Sequence, residues 1–190
     1  MTIRKMLIHY LKSGQASIGQ IINTSNMIYS QLKARDDLGN DEREKTLKDI
    51  EQLIRIVAEL QISIADFIIL LTEENADLAG KIKLQSFHNM EQSLTKISQH
   101  LNDNLPKRDV PVMPRGSELA IQLFQLENSL FGAEMFWAEE KENFGEKAED
   151  IKPITNFLTS GREFAKIAAR WANLLLLQKE FLWVEPKNSG

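Results

Sequence analysis

The sequence predicts an all-α protein, an elongated bundle of about five long helices with coiled-coil-like packing. Three observations predict this fold class: apolar residues recur at helical spacing, Gly and Pro are scarce, and no Pro precedes Pro106. The 190 residues include 9 Gly and 5 Pro, and 43% of them are hydrophobic. This composition argues against collagen-like, low-complexity and turn-rich all-β chains, and it suffices for a full core.

The first helix is expected from about residue 3 to residue 34. Its apolar residues share a seven-residue spacing, as in Leu7, Ile21 and Ile28. Two glycines, Gly14 and Gly19, lie inside this stripe. We expect them to break or kink the helix; the alternative is that they let a neighbouring helix approach closely.

The second helix, about residues 41–72, has the strongest periodicity. Two heptad positions are apolar throughout: Ile50, Val57, Ile64 and Leu71 at one, and Leu53, Leu60 and Phe67 at the other. Near its C-terminal end, three further apolar residues lie outside this seam: Ile62, Ile69 and Leu70. The helix must therefore be covered from more than one side, by other helices of the chain or by a partner.

The third helix, about residues 74–102, carries one narrow stripe: Phe87, Met90, Leu94, Ile97 and Leu101. A proline-rich stretch, residues 104–116, follows and is longer than most connections between bundle helices. It divides the chain into a three-helix N-terminal half, residues 1–103, and a C-terminal helical hairpin, residues 117–190, which we expect to pack together as one domain.

The fourth helix begins after Ser117 and carries two adjacent apolar stripes. One contains Leu119, Leu123, Leu126, Leu130 and Trp137, and the other contains Phe124, Phe131, Met135 and Ala138. This helix should therefore be buried over more than half its circumference.

The fifth helix should run from Pro153 to about Trp183. Its small residues predict close packing against helix four in an antiparallel hairpin: Gly161, Ala165, Ala168, Ala169 and Ala172.

Charge and residue content limit the function. There are 23 basic and 27 acidic residues, a net charge of −4, which argues against nucleic-acid binding. No stretch reaches the roughly 20 apolar residues that cross a bilayer. No cleavable signal is visible, so a cytoplasmic location is the default, while secretion without a cleaved signal stays open. With no Cys, thiolate metal sites and cysteine nucleophiles are excluded.

No catalytic or metal-binding motif is present, so we expect no enzyme activity and no cofactor. Neither Glu-x-x-His nor His-Glu-x-x-His occurs. Glu134 lies among aromatic residues, where burial would raise its pKa, but pairing with a cation is the simpler expectation. Arg162, Lys166 and Arg170 form a cationic ridge that could hold a phosphate or an acidic partner. Ion pairing with the acids of residues 134–142 explains the ridge without a ligand.

The sequence thus favours a non-enzymatic interaction protein, an adaptor, inhibitor or assembly subunit, which binds a protein partner or itself through apolar helix faces. The candidate partner-binding residues are Ile62, Ile69, Leu70, Arg162, Lys166 and Arg170. One alternative is a membrane-active, toxin-like protein whose basic N-terminal segment, residues 3–12, contacts a membrane surface. Another is a carrier of an apolar ligand between helices four and five, with a pocket lined by Phe131, Met135, Trp137, Phe164 and Trp171.

Overall fold

A computed structural model of the chain describes residues 2–34, 40–72, 76–105, 118–144 and 151–176. In these ranges the chain forms five α-helices and one short 3-10 helix, with no β-strand. The elements are α1 (Ile3–Lys33), α2 (Asn40–Thr72), α3 (Ala76–Asp103), α4 (Glu118–Glu140), the 3-10 helix (Lys141–Phe144) and α5 (Lys152–Leu176). The prediction of an all-α bundle is confirmed. The predicted extension of helix five to Trp183 and the predicted cap Ser117 lie outside the described residues.

The five helices form a closed ring in the order α1, α4, α5, α3, α2. Neighbours in a ring with an odd number of helices cannot all be antiparallel, so at least one pair must be parallel. Here it is α3 and α5: the rings of Phe87 and Phe157 lie 5.1 Å apart between centroids, and Leu94 lies beside Gly161. The other pairs are antiparallel, as expected for helices joined by short connections.

The α4–α5 hairpin fills the gap between α1 and α3 rather than packing on the outside of a three-helix unit. Consequently α3 and α4 are not neighbours, because α5 lies between them. The end of α3 at Asp103 and the start of α4 at Glu118 are therefore separated by α5. Of the predicted linker, only Asn104 and Leu105 are described.

The heptad stripes of α1, α2 and α3 are buried together in one core with one apolar side of α4 and α5. Where α2 ends and α5 begins, this core is aromatic. The ring of Phe67 packs edge-on against Phe87 and Trp137, at centroid distances of 5.9 and 5.2 Å. Trp137 Nε1 on α4 donates a hydrogen bond of 2.9 Å to Thr155 Oγ1 on α5. This bond satisfies the polar N–H group of the buried indole ring.

The predicted break at Gly14 and Gly19 is wrong, because α1 is continuous from Ile3 to Lys33. Leu11 and Ile18, on either side of Gly14, are fully buried, and their packing outweighs the roughly 1 kcal/mol that a glycine costs a helix. The alternative of close approach is not met either. A Cβ at Gly14 would lie 3.6 Å from Leu126 Cδ1, an ordinary contact, and one at Gly19 would meet nothing within 4 Å.

Candidate interaction surface on helix α4

One stripe of α4 faces outward, although the sequence predicted that both would be buried. Phe124, Phe131 and Met135 are 50%, 52% and 58% exposed, and Ile121 is 41% exposed. Asn128 and Ala138 are exposed on the same line. These six residues alternate in spacings of three and four, which places them on one side of the helix. We call them the α4 face: Ile121, Phe124, Asn128, Phe131, Met135 and Ala138.

The opposite side of α4 is the one that enters the core. Its residues are at most 2% exposed: Leu119, Leu123, Leu126, Leu130 and Trp137. Among the described helices, α4 has two neighbours, α1 and α5, which cover its inward side and its two flanks. The α4 face is the side that remains.

A groove of about 370 Å³ runs beside the α4 face, between α1 and α4. Uncharged side chains line it: Tyr10, Ser13, Ala16, Ser17, Gln20, Gln125, Asn128 and Ser129. The hydroxyls of Ser13 and Ser129 are 3.0 Å apart and form a hydrogen bond across it. Asn128 belongs both to the groove and to the α4 face, so the two features are continuous.

The other flank of the α4 face is charged. Arg162 Nε on α5 donates to Glu134 Oε1 at 2.7 Å, and Arg162 Nη1 donates to Glu163 Oε1 at 3.0 Å. Glu134 therefore pairs with a cation, as expected from the sequence. Lys166 and Arg170 are exposed beyond this pair.

The predicted register of the cationic ridge is correct only for Arg162. Because α5 runs antiparallel to α4, the ridge moves away from the hairpin turn as its residue numbers rise. Lys166 and Arg162 therefore act on the carboxylate of Glu127 rather than on acids beyond Glu134. Burial raises the pKa of Glu127 above its ordinary value, and these two cations oppose the shift. Its Oε2 atom is buried without a hydrogen-bond partner.

A smaller apolar surface lies on α2. Ile62 is 64% exposed and Ile69 41%, as expected for residues outside the heptad seam. Leu70 is only 4% exposed, which corrects its assignment as a partner-binding residue. It is three residues after Phe67 and so lies on the same side of the helix, in the core.

The five residues of the predicted ligand pocket do not line a common cavity. Trp137, Phe164 and Trp171 are buried in the core, whereas Phe131 and Met135 belong to the exposed α4 face. The predicted membrane-surface segment is part of the bundle, since Leu7 and Leu11 are fully buried. No helix in the described ranges is long and apolar enough to span a membrane.

A second groove, about 360 Å³, lies between α2 and α3 and has a polar rim that includes Arg55, Glu59 and Lys96. At its end, His100 Nε2 lies 3.0 Å from Asp49 Oδ1. Within the described part of the chain, no group of three or more His, Asp or Glu side chains could hold a metal ion.

Comparisons of the chain with protein-family models, curated proteins and solved structures gave no match.

Proposed function

We propose that the protein is a non-enzymatic interaction module that binds a protein partner through the α4 face. One observation carries this proposal: four large apolar side chains, 41–58% exposed, lie in line along a helix whose opposite side is fully packed. Single exposed apolar residues are common on protein surfaces, but a contiguous apolar patch is typical of an interaction site.

The energetics favour such a role. Full burial of a Phe, Met or Ile side chain contributes roughly 1.5–3 kcal/mol. These four side chains are about half exposed, so covering them supplies roughly 3–6 kcal/mol of a binding free energy. The core packing of Leu123, Leu126 and Leu130 fixes α4 in place. Because the helix is already ordered, little conformational entropy is lost when a partner binds.

The rim of the α4 face adds selectivity. Lys166 and Arg170 are exposed on the α5 side and would attract acidic groups of a partner. Asn128 lies in the middle of the apolar stripe, and a single polar residue at such a position fixes the register of paired helices at some cost in stability. Ile62 and Ile69 on α2 offer a second, smaller contact area.

Site-specific photocrosslinking in the native host tests the proposal. A photoreactive residue in place of Phe131 should give a defined crosslinked protein band. The matched control is the same residue at Thr95, which is exposed on α3. Equal crosslinking at both positions, or none at position 131, would remove the α4 face as a docking site.

A further inference from the structure

We propose that the partner bound by the α4 face is a second copy of this chain. The two copies pack about a twofold axis parallel to α4, and the α4 face of each lies in the α1–α4 groove of the other. This inference rests on the proposed function, because it names the occupant of the same surface.

The shapes of the two features support this occupant. The apolar face and the groove of uncharged side chains lie side by side and share Asn128. A twofold axis between them and parallel to α4 exchanges their positions, so each face meets a groove. A twofold axis perpendicular to α4 would instead place face on face and groove on groove. In the parallel arrangement, each groove receives apolar side chains of the other copy.

The register follows from contacts within one copy. Ser13 lies level with Ser129, and the Tyr10 ring lies level with Gly132. A parallel twofold axis keeps the level of each residue unchanged. Phe131 of one copy would therefore enter the partner groove beside its Tyr10 and Ser13 side chains. Phe124 would enter about two helical turns further along, near the level of Ser17.

The charges permit the same arrangement. The six residues of the α4 face and the residues that line the groove are uncharged, and the basic residues of α1 are not among them: Arg4, Lys5, Lys12 and Lys33. The charged flank of Arg162, Glu163 and Lys166 lies on the other side of α4, away from this contact. Self-association therefore brings no like charges together at the centre of the interface.

The available area is sufficient only if α1 takes part. The α4 face, residues 121–138, spans about 26 Å, so a strip about 10 Å wide offers roughly 260 Å² per copy. With an equal strip of α1 beside it, the two copies together bury roughly 1,000 Å², which is the lower limit for a specific interface and is typical of weak, reversible dimers. A contact between two α4 helices alone would bury about half of that area.

Sedimentation velocity over a concentration series tests the inference. The wild-type chain should dimerise, and F131E should raise the dimer dissociation constant at least about 100-fold, because a twofold axis makes each substitution count twice. T95E is the matched control, since Thr95 is exposed on a different helix, α3. It should dimerise like the wild type. Circular dichroism should show unchanged helix content in both variants.

The axis can be tested separately because the chain contains no Cys. Asn128→Cys and Ile121→Cys should each form an intermolecular disulfide under mild oxidation. A parallel axis keeps each residue level with its equivalent in the other copy, and a disulfide needs Cα atoms within about 7 Å. Asn128 borders the groove and Ile121 lies one heptad before it, so both positions lie close to the axis. Thr95→Cys should remain monomeric on a non-reducing gel. Crosslinking of Asn128→Cys without Ile121→Cys indicates an antiparallel pair and would overturn the proposed axis.

A wild-type chain that stays monomeric up to about 100 μM overturns the self-association inference. If Phe131 nevertheless crosslinks to a different protein in cells, the proposed interaction function holds with another occupant. Loss of dimers in I62E but not in F131E would overturn the inference in a different way, by moving the contact to α2.

Discussion

The aromatic ring of Tyr10 on α1 lies directly over the backbone of Gly132 on α4. A Cβ at position 132 would stand 2.5 Å from both Cδ1 and Cε1 of that ring. The ring also stacks on Phe136 at a centroid distance of 5.6 Å, so it has a partner on the same helix one turn further on. Only glycine permits this approach of α1 to α4.

Gly132→Ala should therefore lower the free energy of unfolding by about 1–3 kcal/mol, the usual cost of overpacking, even though alanine is the better helix former. Urea denaturation monitored by circular dichroism measures the change. Adding Tyr10→Ala should remove most of the penalty that alanine introduces at position 132. A fully additive double mutant would contradict the proposed steric cause.

Gly14→Ala and Gly19→Ala should act in the opposite direction. A Cβ at Gly14 would be in ordinary contact with Leu126, and one at Gly19 would meet no atom within 4 Å. Each substitution should raise the free energy of unfolding by about 0.5–1 kcal/mol, because glycine is the poorer residue inside a helix. Thermal denaturation of the two variants beside Gly132→Ala gives a matched series. Destabilisation at Gly19 would show that the continuous α1 helix is wrong at that point.

Glu127 should make stability depend on pH. Its pKa is raised in the folded state by burial, while Lys166 and Arg162 oppose the shift and Glu163 adds to it. The folded chain therefore binds this proton more tightly than the unfolded chain. Protonated Glu127 therefore contributes to the free energy of unfolding at low pH. This contribution is lost as the pH rises through the pKa of Glu127 in the unfolded state and then through its higher pKa in the folded state.

Glu127→Gln resembles the protonated carboxyl, so it should be more stable than the wild type at pH 7. The difference should shrink toward zero on acidification below the unfolded pKa of about 4.3. Chemical denaturation at a series of pH values checks this. The matched control is Glu139→Gln at an exposed position of α4. A variant less stable than the wild type at pH 7 would contradict the assigned cause.

Arg4 on α1 joins the ends of two other helices. Its Nε donates to Glu140 Oε1 on α4 at 2.6 Å, and its Nη1 donates to the Leu71 carbonyl of α2 at 3.4 Å. The Glu140 side chain is only 5% exposed. Arg4→Ala leaves that buried carboxylate without its main cation, so it should destabilise the protein by about 1–3 kcal/mol.

The double variant Arg4→Ala with Glu140→Gln should recover part of this loss, because the unpaired charge is gone. Equilibrium unfolding of the single and double variants forms a double-mutant cycle. An independent effect of the two substitutions would show that the pair contributes nothing. The pairing also shows that Arg4, in the segment predicted to contact a membrane surface, is engaged within the bundle.

The sequence predicted the helices well, because their signals are local. The heptad seam of α2 and the small residues of α5 mark buried faces without knowledge of any neighbour, and these faces are buried. The α4 helix shows where this reasoning ends. Phe124 and Phe131 are as apolar as Leu123 and Leu130, so periodicity cannot rank the two stripes. Only the order of helices in the ring decides which stripe faces outward.

The contact between Tyr10 and Gly132 was also missed, although a signal existed. A glycine inside an otherwise apolar helix often marks a close approach of another group. That interpretation was given to Gly14, where the structure leaves room for a methyl group. Which glycine is needed depends on the side chain opposite it, and the partner in this case lies more than a hundred residues away along the chain.

The insertion of the α4–α5 hairpin between α1 and α3 has a kinetic consequence. The link between Arg4 and Glu140 joins residues 136 positions apart, so the ring closes only after most of the chain has been synthesised. Contacts of such long range slow folding, because the entropy of closing the loop is lost before they form. A nascent chain that ends before residue 118 would leave Leu7 and Leu11 uncovered by α4, and it would be prone to aggregation until the hairpin emerges from the ribosome.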